Sequence, residues 1–121
     1  MTPLLVGLAG GLGAVSRFVL DNAVARLIRF PFPVGTLVIN VTGSFLLGLL
    51  TAWTTRTGAL PELGTILGSG FLGGFTTFST ASMELVRLSR AGSPAKALFL
   101  ASAMLVVSVL AAAAGLLIGR V

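Results

Sequence analysis

Neutral polar groups that could bind an ion are concentrated in one apolar run, residues 63–83, which contains no charged residue. Hydroxyls can donate hydrogen bonds to an anion, and the edge of an aromatic ring is electropositive. An interrupted helix also frees carbonyls that can bind a cation. The run is therefore a candidate ion or substrate pathway. Its hydroxyls and rings cluster at Thr76, Thr77, Ser79 and Thr80, with Phe75 and Phe78.

Glycine weakens the helix just before this cluster. Gly68, Gly70, Gly73 and Gly74 follow one another closely, and each lowers helix stability by roughly 1 kcal/mol relative to alanine. Non-helical backbone at membrane depth is tolerated only where protein buries it or where it lines a wet cavity. The sequence predicts a helix that is broken in the middle of the membrane.

A second apolar run, residues 34–53, carries the amide of Asn40 on a helical face shared with Thr36 and Ser44. An amide in the middle of a membrane is unfavourable unless it finds hydrogen-bond partners. Two compatible interpretations follow. Asn40 could hold neighbouring helices or the broken backbone near residue 74, or its NH2 group could face a permeating anion.

The composition is that of an integral membrane protein without catalytic groups. Of 121 residues, 55% are hydrophobic and only 9% are charged, whereas soluble domains carry about 25% charged residues. Cysteine and histidine are absent, and the only acids are Asp21, Glu62 and Glu84. Because the usual general base and thiolate ligands are missing, we interpret the chain as a non-enzyme.

Four apolar runs are long enough to cross a membrane as helices, since a span needs about 20 apolar residues. The connections are too short to fold alone, so we expect one transmembrane domain over residues 1–121. Glycine pairs four residues apart, such as Gly7 with Gly11 and Gly115 with Gly119, allow helices to approach closely. We expect an all-α oligomeric membrane protein with spans at about 3–28, 34–53, 63–88 and 95–119, the second starting after a turn at 30–33.

The net charge of +5 is better explained by lipid headgroups and membrane topology than by nucleic acid, because the bases are scattered between apolar runs. An even number of spans puts both termini on one side. Because the opposite side carries more basic residues, the positive-inside rule predicts that both termini lie outside the cell. Arg56 and Arg120 lie on the side of the termini, whereas Arg26, Arg29, Arg87, Arg90 and Lys96 lie on the other.

Two acid–base pairs stand at helical spacing near the ends of spans. Arg17 lies four residues before Asp21, and Glu84 lies three residues before Arg87. These spacings favour helix-end ion pairs. Alternatively, Arg17 stands in an aqueous vestibule and attracts anions.

Three motifs together resemble the CrcB/Fluc fluoride channels. They are Gly-Ala-Val-Ser-Arg-Phe at 13–18, Gly-Thr-Leu-Val-Ile-Asn-Val-Thr-Gly-Ser-Phe-Leu-Leu-Gly at 35–48, and Gly-Phe-Leu-Gly-Gly-Phe-Thr-Thr-Phe-Ser-Thr at 70–80. The resemblance covers the whole chain. It implies an antiparallel, dual-topology dimer with two narrow fluoride pores and a central structural sodium ion.

The resemblance also implies roles for individual residues. The sodium ligands would be the backbone carbonyls of Gly73 and Thr76. The fluoride pore would contain Asn40 and Phe78, with Thr36, Thr77 and Ser79 near its polar track. Arg17 would stand at the vestibule, and Glu84 would match an acid that follows the third motif and supports the helix end.

Two positions depart from the family pattern. A second phenylalanine is usual three residues after the first, and this chain has Ala81 there. In the fourth span, where a tyrosine and then a serine are usual, it has Phe99 and Ala103, with Ser102 one position early. A pore built on these positions would lack one ring edge and one or two hydroxyls.

The expected function is therefore passive, selective export of fluoride. An alternative is that the chain is a non-conducting or assembly-partner subunit of a heteromeric fluoride channel, paired with a paralogous subunit rather than a second copy. A small multidrug exporter has a similar size, but its proton-coupled chemistry needs a membrane-embedded carboxylate, and residues 2–20 contain none.

Overall fold

The computed structural model describes residues 1–28 and 34–121, apart from the side chain of Ser79, and these residues form helices without a strand. Arg29 and the turn predicted at 30–33 lie outside the described residues. The helices are α1 (Thr2–Leu27), α2 (Val34–Thr57), α3 (Pro61–Gly64), a π-helix called the π segment (Thr65–Leu72), α4 (Gly73–Phe75), α5 (Ser79–Arg90) and α6 (Pro94–Arg120).

Three of the predicted spans are confirmed as long apolar helices, namely α1, α2 and α6. Each is long enough to cross the hydrocarbon core of a bilayer, so the chain is a multi-pass membrane protein. The protein itself buries only 6% of the apolar stretch of α1 and 11% of that of α6, against 28% for α2. α2 is thus the most enclosed of the three, and the outer faces of the other two are free for lipid or another subunit.

The run predicted as the third span does not form one continuous helix. It starts as α3, widens into the π segment, continues as α4 and leaves the helical conformation at Thr76, whose φ of −77° and ψ of 158° are extended. Helix resumes at Ser79 with α5. The π segment was not predicted, because π-helices are rare and usually last one turn.

Glycine brings α1 against the π segment and α4. A Cβ atom on Gly13 would overlap the carbonyl of Phe71, and one on Gly74 would overlap the carbonyl of Gly10. These backbones therefore touch directly. The predicted pair of Gly7 and Gly11 makes no such contact among the described residues, since a Cβ on either would meet none of their atoms within 4 Å.

The same kind of contact joins α2 to α6, and it is reciprocal. A Cβ atom on Gly48 would overlap the carbonyl of Ala112 in α6, and one on Gly115 would overlap the carbonyl of Phe45 in α2. Gly119 lies against Ala52 in the same way. The expectation that Gly115 and Gly119 allow close approach of helices is confirmed.

Candidate functional site

The amide of Asn40 holds the non-helical backbone between α4 and α5. Its Nδ2 donates to the carbonyl of Thr77 at 2.9 Å, and its Oδ1 accepts from the N–H of Thr77 at 2.9 Å. This paired contact joins residues 37 positions apart and reproduces the pattern of a neighbouring strand. Of the two interpretations of Asn40, the structure contains the one in which it supports the interrupted backbone.

Thr77 continues this support toward α5. The N–H of Thr80, in the first turn of α5, donates to Thr77 Oγ1 at 3.1 Å. Thr77 is 8% exposed, so this bond lies in the interior. The hydroxyl of Thr76 bonds back to the carbonyl of Leu72 at 2.9 Å, and the N–H of Thr76 donates to the same carbonyl.

The two carbonyls predicted to bind a cation are not used by the helices. In the described part of the chain, no hydrogen bond reaches the carbonyl of Gly73 or that of Thr76. Backbone carbonyls at the end of an interrupted helix suit a hard monovalent cation. Among the described residues, no group of three or more acidic, histidine or cysteine side chains could hold a metal.

A groove of about 580 Å³ opens beside the interruption, between α2, the π segment, the start of α5 and α6. Its lining is mostly apolar, with hydroxyl and amide groups at a few points. The groove therefore brings together five of the predicted site residues: Asn40, Gly73, Thr76, Thr77 and Phe78.

Phe78 and Ala81 both line this groove, but they differ in how much of the side chain is exposed. Phe78 is 87% exposed, so this chain leaves its ring uncovered. Ala81, at the position where the family pattern has a second phenylalanine, is 8% exposed and lines the groove. At position 81 the wall of the groove therefore carries a methyl group instead of an aromatic ring.

Two hydroxyls on the groove were missed from the sequence, Ser82 and Ser108. Ser108 shares a helical face of α6 with Ala101, Met104 and Leu105, which also line the groove. The spacing of three, four and seven residues along that face is the signal that could have identified it. Neither Phe99 nor Ser102 lines the groove.

Thr36 and Glu84 pair with each other away from the groove lining. Thr36 is 1% exposed and donates from Oγ1 to Glu84 Oε1 at 3.1 Å. Glu84 Oε2 is buried and has no hydrogen-bond partner among the described residues. Glu84 thus stabilises α5 against α2.

The helix-end ion pairs are not formed in the described part of the chain. Arg17 makes no ion pair with Asp21, and Glu84 makes none with Arg87. Asp21 instead packs on Gly35 near the start of α2. Arg17 is half-buried and does not line the groove. The remaining predicted site residue, Ser79, has a side chain outside the described structure.

Comparison with known proteins adds a family. Residues 4–116 match the family described as CrcB-like protein, Camphor Resistance (CrcB). A protein of Leifsonia xyli subsp. xyli named fluoride-specific ion channel FluC 1 is 50% identical over 98% of this chain and 89% of its own. A protein of Cutibacterium acnes named fluoride-specific ion channel FluC 2 is 49% identical over 98% of both chains. A Magnetococcus marinus protein named fluoride-specific ion channel FluC is 45% identical over 95% of this chain and 94% of its own.

Proposed function

Because this chain belongs to the CrcB-like family, we propose that it is a fluoride-selective channel, not an enzyme, and that it lets fluoride leave the cell passively. The observation that carries the proposal is the similarity at 45–50% identity, over almost the whole chain, to proteins named fluoride-specific ion channels. The amide and hydroxyl groups that line the groove support it, because they are neutral hydrogen-bonding groups of the kind fluoride requires.

Fluoride is small and strongly hydrated, so moving it into an apolar site without replacement donors is very unfavourable. A channel must replace the lost water while binding weakly enough to release the ion. The second hydrogen of the Asn40 amide, nearby hydroxyls and the edges of the Phe78 ring meet both needs. Thr36, Thr77 and Ser79 would extend the polar track, and Arg17 would attract anions at a vestibule.

A second subunit is needed to complete the pore. The groove is open on one side, and the ring of Phe78 is 87% exposed, which is unfavourable for a large apolar group beside an aqueous path. In the proposed antiparallel dimer, residues 63–88 form the third span, with its non-helical residues at 76–78. The chain then crosses the membrane four times. Each subunit would cover the groove of the other, giving two pores.

The carbonyls of Gly73 and Thr76 would hold a structural sodium ion at the dimer interface. Their fit rests on the absence of a hydrogen bond to either oxygen within the described chain. When bound, the cation would supply a fixed positive potential between the two fluoride pores.

The assembly-partner alternative is favoured by one observation. Ala81 is buried on the groove, so the pore wall lacks a ring at that level. A paralogous subunit could supply the missing ring edge from across the interface, and this chain would then serve as one half of a heterodimer.

Reconstitution of the purified chain into liposomes tests these proposals. A fluoride electrode should record rapid fluoride efflux once the membrane potential is clamped, whereas chloride-loaded liposomes should show none. A stable dimer that releases no fluoride would contradict the channel proposal. A chain that stays monomeric and inactive alone, but conducts after co-purification with a paralogous subunit, would establish the heteromeric alternative.

A further inference from the structure

We propose that Asn40 and Thr77 are positioning residues for the cation site, because their side-chain oxygens take the two N–H groups that would otherwise cover the carbonyls of Gly73 and Thr76. This inference rests on the sodium site of the proposed function. It assigns Asn40 a task at the cation site that is separate from any contact with fluoride.

The first of these N–H groups belongs to Thr77. In a continuous α-helix it would donate to the carbonyl four residues earlier, which is that of Gly73. It donates instead to Asn40 Oδ1 at 2.9 Å. The amide cannot rotate away easily, because its Nδ2 is bonded to the carbonyl of Thr77 at 2.9 Å.

Packing of α2 against Thr76 holds Asn40 close enough to accept the hydrogen bond from Thr77. Gly43, one turn after Asn40, lies against the side chain of Thr76, where a Cβ atom would overlap the methyl group. Ile39, next to Asn40, is 1% exposed and anchors the helix in the interior. Oδ1 of Asn40 is therefore held at the interruption by the surrounding packing.

The second N–H group belongs to Thr80. Its helical acceptor would be the carbonyl of Thr76, but it donates to Thr77 Oγ1 at 3.1 Å. The same hydroxyl thereby takes a donor from the first turn of α5 and leaves the carbonyl of Thr76 available. Each predicted cation ligand is thus paired with one side-chain acceptor that removes its helical donor.

Losing the acceptor oxygen of Asn40 or Thr77 should do more than remove one hydrogen bond. Without the acceptor, the N–H of Thr77 or Thr80 would turn to the nearest carbonyl and extend the helix across the interruption. A merely structural residue would lower stability equally with and without sodium. A positioning residue changes the sodium-dependent part of stability.

The test measures thermal unfolding of the purified protein in detergent while Na⁺ replaces N-methylglucamine at constant ionic strength. The wild-type midpoint temperature should rise with Na⁺ and saturate. Thr77→Val and Asn40→Leu each remove one acceptor oxygen. Each should raise the Na⁺ concentration for half-maximal stabilisation about tenfold or more, because one ligand carbonyl becomes hydrogen-bonded. Thr77→Ser keeps the hydroxyl and should behave as wild type.

The matched control is Thr51→Val on α2, whose hydroxyl only bonds back to the carbonyl of Leu47. It should leave the Na⁺ dependence unchanged. If Thr77→Val yields no folded protein, Thr77→Cys serves, because its sulfur is a weak acceptor. A raised Na⁺ requirement in that variant supports the inference, and a wild-type requirement contradicts it.

Two outcomes would overturn the inference in distinguishable ways. If the wild type gains no stability from Na⁺, the sodium site itself fails, and the efflux assay still decides the fluoride channel separately. If the wild type responds but Asn40→Leu and the Thr77 variants respond equally, the sodium site stands, and the positioning role of these side chains is wrong.

Discussion

The hydroxyl of Thr36 donates a 3.1 Å hydrogen bond to Glu84 Oε1 and so joins α2 to α5 outside the groove. Thr36 is almost fully enclosed at 1% exposure, and the second oxygen of Glu84 is buried without a partner among the described residues. The carboxylate therefore depends on one side-chain donor from α2, which makes this contact sensitive to substitution.

Thr36→Val should destabilise the protein by about 1–3 kcal/mol, because a buried acceptor loses its donor while the shape of the side chain is kept. Thermal or denaturant unfolding in detergent measures the change. Thr36→Ser, which retains the hydroxyl, should lose much less stability. Equal losses in the two variants would mean that the methyl packing of Thr36, and not its hydrogen bond, stabilises α5.

Gly74→Ala should lower stability by about 1–3 kcal/mol, because the added Cβ atom overlaps the carbonyl of Gly10 and forces backbone apart. Gly11→Ala is the matched control on α1, since its Cβ would meet nothing within 4 Å. The control should be neutral or slightly stabilising, as alanine favours helix. Unfolding midpoints of both variants decide the question, and a destabilised Gly11→Ala would contradict this account of α1.

Phe78→Ala should reduce fluoride efflux from liposomes about tenfold, which corresponds to a barrier increase of about 1.4 kcal/mol from the loss of electropositive ring edges. Phe99→Ala removes a ring of the same size that is 72% exposed and does not line the groove. It should leave efflux close to wild type. Similar losses in both variants would indicate that exposed rings act through lipid contacts or assembly.

Arg17→Gln should slow fluoride efflux several-fold without lowering stability, since Arg17 makes no ion pair in the described structure and is proposed to attract anions electrostatically. The difference from wild type should shrink as ionic strength rises, because salt screens such attraction. Efflux at two salt concentrations measures it. Arg90→Gln, at the exposed end of α5, is the control and should change little.

Hydropathy was enough to predict α1, α2 and α6, because a long uncharged run has few other stable forms in a membrane. The clustering of Gly73, Gly74 and the following threonines predicted a helix broken in the middle of the membrane, and in the structure α4 ends at Phe75 and α5 begins at Ser79. These features are local, since they depend on composition within one or two turns. They could be read without knowing which helices are neighbours.

The remaining features depend on contacts between distant parts of the chain. The sequence showed that Asn40 needs a partner but left open which one, and the partner lies 37 residues away at Thr77. Composition could not predict the π segment, because hydrophobic content does not reveal whether an N–H donates to the carbonyl four or five residues earlier. Gly10 and Gly13, rather than the more regular pair of Gly7 and Gly11, face α4 and the π segment, since the contact surface of α1 is set by its neighbours.

The interlocked glycines of α2 and α6 limit how the protein can respond to bilayer thickness. Gly48 lies against a carbonyl of α6 and Gly115 against a carbonyl of α2, so sliding either helix along the other would bring a residue with a Cβ atom against that carbonyl. If α2 meets a thinner or thicker bilayer by tilting, which is one of the ordinary responses to mismatch, it should tilt together with α6. Asn40, which lies on α2, would tilt with them.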